Sequence, residues 1–522
     1  MNTAVASATI EVPREELDAM RSQMRSQQST IESLQQQLDW FKRQLFGPKS
    51  EKRPQPDADQ AALFERAQGD VPVGKVITTK VPAHERRKHR TGEEVNDSGL
   101  RFTADVPVKT IVLPCPELSG PDAHAYEQIG VKTSIRLARR PGSHVVLRYE
   151  RAVVKRKSDG QIATVDAPLG VLDHAQVDVS FLAGLLIDKF QYHLPLYRQH
   201  QRLGDEGITL APSTIDYWAR RTIELLGPVA AAVQAAILSG SHIKIDETPI
   251  KAGRTKTKTG QGKMKDGWLW PILGEHGDIA FNYSPERGSA VVKELLGDRF
   301  TGVIQTDGYD VYARYAAKQP DCTHALCWAH TRRTLLKAEA SEPQATGEGL
   351  EMIRGLYRIE RELRDQAADG ATILARRKRD SEPIVDKFFQ WVTRQIEDPS
   401  LLPSSPLARA LNYAREREKG LRVFLTDAWL ALDTNDLERA LRVVPMGRKN
   451  WMFCTSEVGA RYVAIIQTIL ATCRAHGVDT YTYLVDVLQR ISTHPASRVH
   501  ELTPREWLQR FAQNPLRSDI DL

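Results

Sequence analysis

Cysteine is scarce and scattered. The 522 residues hold five, Cys115, Cys322, Cys327, Cys454 and Cys473, too dispersed for a disulfide framework, which points to a reducing compartment. No apolar run is long. GPVAAAVQAAIL and YVAIIQTILATC fall short of the roughly 20 residues that cross a bilayer, so no membrane protein is expected. The opening MNTAVASATIEVPREEL has no basic region ahead of an apolar one, so no secretory signal is read there. One-sided charge is missing too. Lys and Arg total 72 against 66 Asp and Glu, and a net charge of +6 identifies no nucleic-acid binder by itself. Internal repeats and low-complexity tracts are absent. What remains is an ordinary globular composition, 41% hydrophobic and 26% charged, which excludes a wholly disordered chain. At roughly 150 residues per domain, the length suggests about three or four units.

The first segment, 1–47, reads as a coiled-coil helix. Leu17, Met20, Met24, Gln27, Ile31, Leu34, Leu38, Phe41 and Leu45 follow a 3-4 spacing, a narrow seam suited to self-association. Gly47-Pro48 ends it. Residues 48–95 form a polar linker with a basic knot, HERRKHR, containing Arg86, Arg87 and Lys88. Residues 96–165 look like short strands. From Lys132 to Lys157 there are nine Lys or Arg and one acid, Glu150, so Lys155, Arg156 and Lys157 become candidate phosphate contacts. Residues 166–240 read as helices, with Ser213 as an N-cap and a turn near Gly204–Gly207 that fits a helix-turn-helix or any helical hairpin.

From 241 the texture changes. Three strand-like runs, a short helix and further strands alternating with helices predict a mixed α/β sheet over 241–345. Residues 346–430 are charged and helical. A helix beginning in DTNDLERALRVV, with Asp433 as its cap, opens 431–476, and 477–522 reads as a helical tail.

Three acids stand out by their surroundings. Asp246 lies in the apolar run HIKIDETPI, and Asp307 ends GVIQTD. Glu438 lies on the helix DLERALR. Acids within or ending apolar strands are costly unless paired or bound to metal. Gathered around divalent metal, three carboxylates can activate water and then a 3′-hydroxyl for in-line phosphoryl transfer. Taken singly, each is equally a strand-end cap or a surface ion pair.

Several blocks occur together in order: LDWFKRQLFGPKSEK, LLIDKFQYHLPLYRQHQRLGDEGITLAPSTIDYW, IDETPIK, VIQTDGYDVY, CWAHTRRTLL, LYRIERELR, DTNDLERALRVVPMGRKNWMFC and HGVDTYTYLVDVLQRISTHP. The chain thereby resembles the IS-sixty-six family of insertion-sequence transposases over most of its length. The resemblance implies a multidomain α/β protein with an RNase H-like catalytic core, a helical insertion and a DDE triad of Asp246, Asp307 and Glu438. These three would be both the catalytic residues and the ligands of two Mg²⁺ ions, with Mn²⁺ able to substitute. Glu247 and Asp436 are the nearest rivals, but one step along a strand or two along a helix aims them elsewhere. The resemblance further implies binding to transposon ends and target DNA, action as at least a dimer, small accessory proteins from the same element, and a bacterial, cytoplasmic, nucleoid-associated setting.

The chain departs from the family where a cysteine-rich finger is usual. VLPCPELSG keeps only Cys115, so no zinc is expected there. Cys322, His324, Cys327 and His330 can be drawn as a four-ligand site, but the spacing is not that of a finger. Residues 251–265 carry Lys251, Arg254, Lys256, Lys258, Lys263 and Lys265 and no acid, as a hairpin loop gripping a phosphate backbone would. Arg439, Arg442, Arg448 and Lys449 follow Glu438 as further backbone contacts, and Trp451 is a candidate base-stacking residue or a core aromatic. Two rivals stay open: a catalytically inactive, transposase-derived DNA-binding regulator, and an RNase H-like nuclease without strand transfer.

Overall fold

The structure is a computed structural model describing residues 100–522, except 105, 141, 174, 256–261, 452, 453, 455 and 522, together with the helical positions Gln23, Met24 and Gln27. The rest of the expected 1–47 coiled coil, and Arg86, Arg87, Lys88, Lys256 and Lys258, lie outside the described residues. Two compact units are present. The larger falls within Glu94–Arg333, Glu351–Val392 and Tyr413–Leu522, and the smaller includes Thr334–Leu350 and Thr393–Asn412.

In the larger unit β1 (Arg101–Phe102) is followed by a four-stranded sheet of β2 (Val108–Leu113), β3 (Tyr126–Arg140), β4 (Ser143–Arg156) and β5 (Ile162–Thr164). The sequence suggested short strands here. Instead β3 and β4 form one long hairpin paired from Arg140–Ser143 out to Tyr126–Arg156. Pairing, broken only by a register shift between Gln128 and Gly130, carries each strand through the charged positions that interrupt its apolar pattern. Gly142, at φ 88°, supplies the left-handed residue beside the turn. The inner face buries Ala138, Val145, Leu147 and Tyr149 with Ile520. Tyr149 donates to the Asp519 carboxylate at 2.6 Å, and Lys109 donates to the Asp519 carbonyl at 2.9 Å.

Three helices follow, Val179–Phe190, Leu196–Asp205 and Pro212–Leu238, with β6 (Ile208–Thr209) between the second and third, pairing antiparallel with β1. Ser213 is not the N-cap. Ala211 caps the third helix and Pro212 opens it, because a proline at the first position sacrifices no hydrogen bond. At 27 residues this helix is, among those described, the one long and apolar enough to cross a membrane. The apolar run GPVAAAVQAAIL covers only its second half. Ile215, Trp218, Ile223, Leu226, Val229, Val233 and Ile237 are buried within the fold along one side.

The central sheet has six strands: β7 (His242–Ile245), β8 (Thr248–Arg254), β9 (Met264–Gly274), β10 (Ile279–Ser284), β11 (Gly302–Thr306) and β12 (Cys322–Leu326). Their order is β10-β9-β7-β11-β12, with β8 beside β9. β7, β9 and β10 are antiparallel, while β11 and β12 run parallel to β7. The helix Asp310–Ala316, not foreseen in the sequence, makes the crossover that parallel β11 and β12 need. The helix Glu457–Ala475 packs on β10, where Thr472 and Thr468 accept the Ile279 and Phe281 amides at 3.1 and 2.8 Å. Between β12 and the helix Asn435–Leu441 the chain forms helices joined by turns, with no strand among the described residues. In the larger unit Trp328 anchors part of this region, its ring 5.3 Å from Phe388 and 6.4 Å from Phe424.

Candidate active site

β7 alternates between core and site. Ile243 and Ile245 are buried, while His242, Lys244 and Asp246 share the opposite face. That face meets the segment leading into the helix Asn435–Leu441 rung by rung. His242 Nε2 lies 2.5 Å from Asp427 Oδ2. Lys244 donates to Asp436 at 2.7 Å and to the Asp433 carbonyl at 3.1 Å. From β11, Gln305 donates to the Ala431 carbonyl at 2.7 Å. Beyond β12 the Trp328 amide donates to Leu432 at 2.9 Å, and Cys327 Sγ accepts the Thr434 amide at 3.4 Å. The segment is thus laced across β7, β11 and the end of β12, which fixes where the next helix starts.

Asp246 and Asp307 directly follow β7 and β11. These strands pair in parallel with Ile304 opposite Ile243 and Gln305 opposite Lys244, and the register carried two residues further would bring Asp307 level with Asp246. Burial, then the carboxylates of Asp307, Glu247 and Glu438, push Asp246 up to about 7. Asp307 is held locally, its Oδ1 accepting the Tyr309 amide at 2.8 Å.

Glu438 sits in the first turn of the helix Asn435–Leu441 between buried Leu437 and Leu441. Its carboxylate takes both oxygens to Arg333 Nη2, at 3.2 and 3.0 Å, and lies 3.6 Å from His330 Nε2. Burial lowers His330 despite the neighbouring carboxylates of Asp307, Glu438 and Asp433. The two rivals are occupied elsewhere. Glu247, its side chain 1% exposed, takes Arg287 at 2.9 and 2.6 Å and the Tyr312 hydroxyl at 2.5 Å, and Asp436 faces Lys244. Asp433 is not the helix cap. Thr434 occupies that position, and the Asp433 carboxylate accepts the Asn435 amide at 3.1 Å and the Tyr357 hydroxyl at 2.8 Å.

Among the described residues no three His, Cys, Asp or Glu side chains stand together at metal-holding geometry. His324 Nε2 turns to the Thr306 hydroxyl at 2.9 Å, and Cys327 to Thr434, so Cys322, His324, Cys327 and His330 do not converge. Burial draws His324 down to about 4.

The candidate DNA contacts separate into engaged and open groups. Lys251 pairs with Asp266 at 2.5 Å and Lys265 with Glu457 at 3.1 Å. Arg156 pairs with Asp159 at 3.0 Å, flanked by exposed Lys155 and Lys157. Arg448 donates to the Pro249 carbonyl at 2.6 Å, tying its helix, Val443–Trp451, which also carries Lys449, to β8. Arg254, Lys263, Arg439 and Arg442 are exposed. Sequence reasoning missed Arg333, Arg287, Tyr312, Tyr413 and Arg417. Arg333 lies inside the block CWAHTRRTLL, but nothing local in that block pairs it with Glu438.

Residues 33–111 match a family described as Transposase C of IS166 homeodomain, and residues 468–505 match the IS66 C-terminal element. The chain is 33% identical over 373 residues to the uncharacterized protein y4hP of Sinorhizobium fredii (strain NBRC 101917 / NGR234), covering 66% of this chain and 65% of y4hP. It is 28% identical over 501 residues to the uncharacterized protein y4jD of the same strain, covering 91% and 94% of the two. Residues 174–462, which hold the central sheet and all three candidate acids, match the Transposase IS66 family. That match takes in more than half of the sequence, and the chain belongs to this family.

Proposed function

We propose that the chain is a DNA transposase that binds the terminal inverted repeats of its element and catalyses metal-dependent nicking and strand transfer at Asp246, Asp307 and Glu438. One observation carries the reading: two carboxylates follow adjacent parallel strands, and Asp246 is driven up to about 7, first by burial and then by the charges of Asp307, Glu247 and Glu438. A cation brought between these acids would relieve that cost. All three donors are carboxylate oxygens, with no thiolate among them, and that set fits a hard ion such as Mg²⁺ or Mn²⁺. When bound, two such ions would stabilise charge on the phosphate undergoing displacement. Nicking uses water as nucleophile, and strand transfer uses the freed 3′-hydroxyl.

The chain's own residues occupy the two neighbouring acids. Lys244 takes Asp436, and Arg287 with Tyr312 takes Glu247. Arg333, on Glu438, offers a guanidinium that suits phosphate when released. The strand order, an antiparallel trio followed by two strands parallel to β7, supports an RNase H-like core with the helical region as an insertion. The region 1–240 would bind transposon ends, with dimerisation through the 1–47 seam, in a bacterial nucleoid setting with accessory proteins of the same element. The test is a strand-transfer assay with Mg²⁺ and a pre-nicked transposon end. Product that depends on all three acids supports the reading, and product that survives their substitution ends it.

A further inference from the structure

The turn carrying Asp307 is gripped from a distant part of the chain. Tyr413, in the last turn of the helix Pro406–Glu416, donates its hydroxyl to the Asp307 carbonyl at 2.6 Å. Arg417 Nη2 donates to the next carbonyl, that of Gly308, at 3.2 Å. The two grips brace each other. The guanidinium lies 3.9 Å from the centre of the Tyr413 ring, and Arg417 Nη1 donates to the Tyr413 carbonyl at 3.2 Å. Burial holds the Tyr413 hydroxyl up to about 12, so it stays a donor through the physiological range.

The turn is shaped to receive this grip. Gly308 adopts φ 98°, a conformation that side chains strain to reach. A Cβ there would stand 2.7 Å from Arg417 Nε and 3.2 Å from the Tyr413 hydroxyl. Inside the turn the Thr306 hydroxyl accepts the Gly308 amide at 3.2 Å, and Asp307 Oδ1 accepts that of Tyr309. Two successive carbonyls held from outside, and two amides held from within, leave the peptide planes on either side of Gly308 little freedom to rotate. The first of these planes carries the Asp307 carbonyl, so holding it restrains the backbone from which the Asp307 carboxylate projects.

We infer that Tyr413 and Arg417 are positioning residues for Asp307, an inference that rests on the proposed metal-dependent transposase. They act through the backbone and hold the second carboxylate preorganised for a divalent cation. A carboxylate free to swing must be ordered when the ion binds, and that ordering weakens binding.

The test is Mn²⁺ binding to the full chain, followed by electron paramagnetic resonance, with strand-transfer kinetics alongside. Tyr413→Phe keeps the ring under Arg417, so the fold should survive. Its Mn²⁺ affinity should fall roughly two- to ten-fold, the range a single hydrogen bond carries. kcat should fall with it, while KM for DNA holds. Arg417→Gln should behave alike, and Arg417→Lys should recover part of the loss. Wild-type Mn²⁺ affinity in both Tyr413→Phe and Arg417→Gln, with binding lost in Asp307→Asn, overturns the inference and leaves the transposase reading standing. Wild-type Mn²⁺ affinity in Asp307→Asn overturns the reading and the inference together.

Discussion

Asp307 and Asp246 follow the carboxyl ends of two paired parallel strands, the place where an open sheet offers its strand ends to a ligand. Burial first, and then the charge of Asp307, disfavours an ionised Asp246, and that has a pH signature. Asp246 is raised from an ordinary value of ~4 to about 7. Its proton therefore favours the folded state. The stabilisation is complete below pH ~4 and is lost as pH rises through about 7, a swing on the order of a few kcal/mol. Metal-free protein should melt lower at pH 8 than this group allows at pH 5. Asp246→Asn should remove that component and raise the melting temperature at pH 8. Calorimetry across pH 4–9 checks it, and a wild-type-like pH profile in Asp246→Asn would refute it.

Asp246→Asn, Asp307→Asn and Glu438→Gln should each lower nicking and strand transfer by roughly a hundredfold or more. Binding to transposon ends without metal should survive. Asp436→Asn is the clean control, since it gives up only the Lys244 pairing on a half-exposed side chain. Glu247→Gln should keep its activity per folded molecule but lose about 1–3 kcal/mol of stability, because it breaks buried hydrogen bonds to Arg287 and Tyr312. An inactive Asp436→Asn beside an active Glu438→Gln would reassign the third acid.

Arg333 and a divalent cation compete for the same carboxylate. The pair is half exposed on the arginine side, so breaking it is worth little, about 0.2–1 kcal/mol. Arg333→Gln should tighten Mn²⁺ binding by roughly two- to five-fold. Arg332→Gln removes the same charge one residue away and should do less. Equal effects in a calorimetric titration would mean that general charge is at work and direct competition is not.

Within 251–265 the cations should not contribute equally to DNA affinity. Lys251 and Lys265 already face acids, whereas Arg254 and Lys263 are exposed. Replacing Arg254, Lys256, Lys258 and Lys263 by Gln should weaken all sequences alike and flatten the log affinity against log salt plot by roughly 0.9 for each phosphate no longer neutralised. Replacing Lys251 and Lys265 should flatten it less. An unchanged slope in the four-fold variant would remove the loop from the interface.

The parts of the site that were legible in the sequence are those encoded locally. An acid ending an apolar strand is visible in HIKIDE and in GVIQTD, and helical direction separates Glu438 from Asp436. The mixed sheet and the helical region after it were visible in the alternation of apolar runs. What escaped was set by partners far along the chain. Arg333 meets Glu438 across 105 positions and Tyr413 meets Asp307 across 106, and no local spacing encodes either. Caps failed for a related reason. Ser213 and Asp433 are good capping residue types, but Pro212 and Thr434 settle where each helix begins. The long β3–β4 hairpin was hidden because its pairing partner, and not its own pattern, sustains each strand.

The strand-rich sheet closes on residues made long after it. Tyr149 finds its acceptor on Asp519, 370 positions later, and Ile520 fills the same inner face. At roughly 5–20 residues per second, a ribosome needs on the order of 20–70 s to reach that acceptor. Until then Tyr149 lacks that acceptor and the inner face lacks Ile520. Synthesis order therefore delays this contact until the central sheet and all three acids have been made.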